Sequence, residues 1–94
     1  MTIIEKAYKV RNLWNRWNDY NKQEVMLALK IDKVDEEISN ATYSKNGYEH
    51  FKTFGHYLNK EEVMRQRSYL IEQHEKSVSH MERITEELKE IFDS

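Results

Sequence analysis

Apolar residues recur at spacings of three and four along most of this chain, the spacing that collects them on one side of a helix. Ile3, Ala7, Val10, Trp14 and Trp17 make the first such stripe. Asn18, Asp19, Tyr20, Asn21 and Lys22 then weaken helix propensity before the pattern resumes at Val25, Met26, Ala28 and Leu29. A helix over residues 3 to 31 is predicted, with a kink or short break near 20 to 23. Asp32 reads as an N-cap followed by Asp35, Glu36 and Glu37, and Val34, Ile38 and Ala41 fall at i, i+4 and i+7 of a short helix ending near Tyr43.

Lys45-Asn46-Gly47 is a turn signal, and Asn-Gly between Thr42-Tyr43-Ser44 and Tyr48-Glu49-His50 also fits a small β-hairpin. Helical spacing continues through Phe51, Phe54 and Leu58, and an isolated two-stranded unit is weak, so one or two short helices are expected over residues 33 to 57. Asn59 then looks like a cap, with Glu62 at the matching capping-box position. Residues 60 to 93 contain no breaker. Val63, Leu70, Met81, Ile84, Leu88 and Ile91 share one stripe of this second long helix, interrupted in its middle by Arg67, His74 and Ser77.

Composition strengthens the helical reading. The 94 residues include no proline and two glycines, Gly47 and Gly55, whereas turns and sheet corners consume both types. The fold class expected is all-α: a single domain over 1–94, built as a long antiparallel helical hairpin with short middle helices. At 1.5 Å per residue the second helix is about 51 Å long, against a diameter of about 32 Å for a compact domain of this size. An overhanging apolar stripe calls for a partner, so association into a helical-bundle dimer is expected. The longest apolar run, Val25 to Leu29, is too short for a membrane span or an export signal. With no cysteine in the chain, the expected setting is the cytoplasm.

Charge is unevenly spread beneath a net −2. Residues 1 to 31 carry six Lys or Arg against three acids, and residues 59 to 94 carry six against nine. The simplest use of that asymmetry is a basic helix packed on an acidic one. A nucleotide or RNA ligand is the alternative: Lys9, Arg16 and Tyr20 lie beside the first stripe, where cations meet phosphate and an off-stripe aromatic stacks on a base. Trp14 and Trp17 are read as core anchors. Arg67, His74 and Ser77 occupy positions that ought to be apolar, which points to a register device or to a site.

Arg67 and His74, with six residues between them, resemble the arginine, four to six residues, histidine pattern of HEPN-type ribonucleases. The resemblance implies a helical dimer whose paired motifs meet at the interface. It covers two residues, and the tyrosine frequent after that histidine is absent, Lys76 standing two residues on. Metal binding is disfavoured, because His50 and His56, like His74 and His80, lie six apart and point away from one another on a helix. No catalytic residue, metal or cofactor is assigned. The reading that results is a small non-enzymatic interaction protein that binds and regulates or inhibits another protein, of the accessory type found in phages and mobile elements. Tyr8, Met64, Tyr69, Ile71 and Phe92 are candidate partner contacts because the two-helix seam does not use them.

Overall fold

The computed structural model describes residues 1–39 and 61–93 in full, together with the backbone of Thr42–Tyr43, Glu49–Thr53, His56–Leu58 and Lys60. Two long helices dominate, α1 (Ile3–Ser39) and α2 (Lys60–Asp93). The Thr2 hydroxyl caps α1, accepting the Glu5 N–H at 3.1 Å while its carbonyl takes the Lys6 N–H at 3.0 Å. Glu5 and Thr2 thus have capping-box spacing, with an acid on the positive end of the helix. Helix α2 begins with Glu61 and Glu62 in its first turn; the capping role read for Asn59 lies outside the described residues, as does the turn at Lys45-Asn46-Gly47.

The middle of the chain differs from expectation. Helix α1 runs unbroken through Asn18–Lys22 and past Asp32, so neither the break near 20 to 23 nor a separate helix capped by Asp32 exists. Among the described residues of 33–57 no separate short helix is seen: α1 extends to Ser39, and three short strands follow, β1 (Thr42–Tyr43), β2 (Glu49–Thr53) and β3 (His56–Leu58). They pair antiparallel in the order β1-β2-β3, Thr42 opposite His50 and Phe51 opposite Leu58. The segment is rich in Thr, Tyr and Phe, which favour strands. A third strand removes the weakness of a lone two-stranded unit, and the helical spacing of Phe51 and Leu58 is coincidental.

The chain divides into two compact units, each built from stretches of both helices: unit 1 is Met1–Val25 with His74–Ser94, and unit 2 is Met26–Gln73. In unit 2, Val34, Val63 and Leu70 form the core, with Leu27, Ile31 and Ile38 packed on it. In unit 1 the core is Leu13, Ile84 and Ile91, joined by Val10, Trp17, Tyr20 and Leu88. The helices run antiparallel in unit 1, since Glu24 meets His74 and Tyr20 meets His80.

One repeat underlies both cores. Along α2 the buried residues Val63, Leu70, Ser77, Ile84 and Ile91 are seven apart, and the half-buried Arg67, His74, Met81 and Leu88 form a second row beside them. On α1 the matching rows are Leu13, Tyr20, Leu27 and Val34, and Val10, Trp17, Glu24, Ile31 and Ile38. This is a heptad seam. The stripe predicted for α1 was therefore half right: Val10 and Trp17 belong to it, but Ile3 is 87% exposed and Trp14 52% exposed, while Leu13 is buried. Ala7 and Trp14 flank the Val10–Trp17 row on one side and Leu13 flanks it on the other, and only the continuation through Tyr20, Leu27 and Val34 selects Leu13.

Candidate interaction surface

The end of unit 1 that holds Glu24 and His74 is polar. His74 Nε2–H donates to Glu24 Oε1 at 2.7 Å, both side chains about a quarter exposed. Ser77, next in the buried row, is 4% exposed. Tyr20 stacks on His80 with ring centroids 4.6 Å apart and planes 17° from parallel. Sequence spacing alone placed His74 and Ser77 in the seam; their neighbours Glu24 and His80 were missed. Glu24 carried a usable signal, since it stands seven residues from both Trp17 and Ile31, at a position that ought to be apolar.

In unit 2, Arg67 Nε donates to Asp35 Oδ1 at 2.6 Å. That hydrogen bond, and then the attraction of the carboxylate, hold the Arg67 pKa above its ordinary value, so the guanidinium stays charged. Arg67 and His74 each have an acid of their own unit as partner. Tyr20, expected as an exposed contact off the stripe, is instead partly buried in the seam with a ring face against His80. Lys9 and Arg16 are exposed on α1, and Lys9 borders a shallow depression of about 370 Å³ with Glu87, Glu90, Ile91 and Met1. Here the basic start of α1 faces acids of α2, as the charge asymmetry predicts.

The seven-residue repeat gives unit 1 two flanks of different character. In unit 1 the rows beside Leu13 and Ile84 carry Lys9, Arg16, His80 and Glu87. The rows beside Trp17 and Met81 carry Ala7, Trp14, Val78 and Phe92, with Asn21 and Thr85 as their polar members. Trp14 and Trp17 stack face to face, centroids 5.3 Å apart and planes 3° from parallel. Next to that stack lies an open groove of about 550 Å³ lined by Trp17, Val78, Met81, Thr85 and three glutamates, Glu24, Glu82 and Glu86.

No family model, curated protein or solved structure matches this chain.

Tyr8, Met64, Tyr69 and Phe92, read from the sequence as lying outside the seam, are exposed, and Ile71 is half-buried. Among the described residues eleven large apolar side chains are exposed, beside the six buried apolar residues and the half-buried ones packed on the two cores. Among those residues no group of three or more His, Asp or Glu could hold a metal ion, and no helix is long and apolar enough to cross a membrane.

Proposed function

We propose that this chain is a non-enzymatic helical interaction protein, which associates with itself and binds another protein to regulate or inhibit it. The observation that carries the reading is the outward placement of large apolar side chains: Ile4, Tyr8, Trp14, Met26, Leu29, Tyr69 and Phe92 are all more than half exposed. Scattered apolar exposure is ordinary, but a flank of Ala7, a stacked Trp14–Trp17 pair, Val78 and Phe92 along one side of one unit is a contact surface. Tryptophan is the residue type that most often anchors interfaces. Pairing of Arg67 with Asp35 and of His74 with Glu24 supports a register role for both residues over a catalytic one.

The regulated protein is assigned to the exposed apolar residues of unit 2, Met26, Leu29 and Tyr69. Affinity capture from the native host with the intact chain tests this. One stoichiometric protein retained by the wild-type chain and lost with Met26→Glu/Leu29→Glu, at unchanged helicity, is the expected result. Repeated capture of no stoichiometric protein, or equal capture by the variant, contradicts it.

A further inference from the structure

Groove and ridge lie side by side on the same unit. Ile4, Ala7, Arg11 and Trp14 recur at i, i+3, i+7 and i+10 of α1, all exposed, the spacing with which an amphipathic helix fills a groove. Beside them, the groove at Trp17, Val78 and Met81 offers an apolar floor with Glu82 and Glu86 on its wall. Charge matches as well as shape. Residues 1 to 18 carry Lys6, Lys9, Arg11 and Arg16 against Glu5 alone, whereas residues 82 to 93 carry five acids against Arg83 and Lys89. On the polar side Lys9 already faces Glu87 and Glu90 of its own chain. On the apolar side, among the described residues, Arg11, Glu82 and Glu86 form no ion pair within the chain.

A surface that combines a basic apolar ridge with an acidic apolar groove is complementary to itself, which is the requirement for an isologous two-fold contact. A two-fold axis crossing α1 at Trp14 brings Arg11 level with Trp17 of the second copy and Ile4 level with Glu24, because these positions lie equally far on either side of Trp14. From the seam register, Tyr20 opposite His80, Glu82 lies near the level of Trp17 and so within reach of the incoming Arg11.

We propose that a second copy of this chain occupies the groove: two protomers dock with their α1 helices antiparallel, Trp14 at the two-fold, and the Ile4–Arg11 ridge of each in the groove of the other, Arg11 paired with Glu82 and Glu86. This rests on the interaction reading and names the partner of one surface. Unit 2 is left free for the regulated protein.

The chain contains no cysteine, so single introduced cysteines report proximity between copies without background. Trp14→Cys cross-links to a disulfide dimer under mild oxidation; Lys30→Cys, exposed in unit 2, serves as the control and stays monomeric on a denaturing gel. Because loss of the indole itself weakens the contact, sedimentation equilibrium of charge variants supplies the second arm. Arg11→Glu and Glu82→Arg each raise the dimer dissociation constant at least about tenfold, and the double reversal returns it to within about threefold of wild type. A monomeric wild-type chain at all concentrations, or charge reversals without effect, overturns the proposal. Monomers that still capture a partner through Met26 and Leu29 overturn the dimer alone, and a charge-sensitive dimer that captures nothing overturns the regulatory reading alone.

Discussion

Unit 2 closes its seam with Leu27, Ile31, Val34, Ile38, Val63 and Leu70 and has, among the described residues, one polar seam position, Arg67, whose partner Asp35 lies at a solvent-washed edge. Unit 1 closes around Leu13, Ile84 and Ile91 but places Tyr20, Glu24, His74 and Ser77 at seam positions, and stacks two tryptophans on its flank. The same seven-residue repeat specifies which positions face inward in both. Residue type at those positions then decides what each unit is for: aliphatic rows supply stability, whereas polar layers fix which residue meets which. The aromatic flank of unit 1 is the surface proposed above for the second copy.

The contrast breaks most visibly in the cores. Leu70→Ala in unit 2 and Ile84→Ala in unit 1 each remove a buried aliphatic side chain and should cost about 2–5 kcal/mol in urea unfolding. A loss below about 1 kcal/mol at either site would mean that its seam is not closed as described. Next in size is the Glu24–His74 layer. Glu24→Leu alone leaves the imidazole without its acceptor and should cost about 1–3 kcal/mol, while Glu24→Leu/His74→Leu recovers most or all of it, since two leucines turn unit 1 into a seam like that of unit 2. If the double variant is no more stable than the single one, the pair is worth more than register.

Ser77 gives a smaller effect of opposite sign. Alanine there removes a buried hydroxyl and improves helix propensity, so Ser77→Ala should gain about 0.5–1 kcal/mol; a loss would show that the hydroxyl is hydrogen-bonded. Smallest is Arg67→Ala. Both partners of that pair are a third or more exposed, and its removal should lower Tm by no more than about 2 °C. A larger fall would move the pair from the edge of unit 2 into its stabilising core.

These differences also explain what could be read without a structure. Helix α2 was legible from Lys60 to Asp93, stripe and interruptions alike, because no breaker intervenes and the apolar residues allow one phase only. Helix α1 allowed two phases. Ala7 and Trp14 outweigh Lys6 and Leu13 in hydrophobicity, and only residues beyond Asn18–Lys22 break the tie; reading those five as a break discarded Tyr20 and Glu24 from the repeat. The sheet was legible only in part: pairing of 42–44 with 48–50 around Asn-Gly was open as an alternative and Thr42 does lie opposite His50, but Phe51, Phe54 and Leu58 also satisfy helical spacing, which hid β3. Acid partners for Arg67 and His74 needed the register between helices, which local spacing does not contain.

Trp14 is where the account is most exposed to test. In Trp17→Phe, which leaves Trp14 as the single tryptophan, acrylamide quenching is measured across protein concentration. Burial of Trp14 at the two-fold makes quenching fall at least about twofold and shifts emission to the blue as concentration rises, and Arg11→Glu abolishes both changes. A Trp14 that stays equally quenchable at every concentration would contradict it.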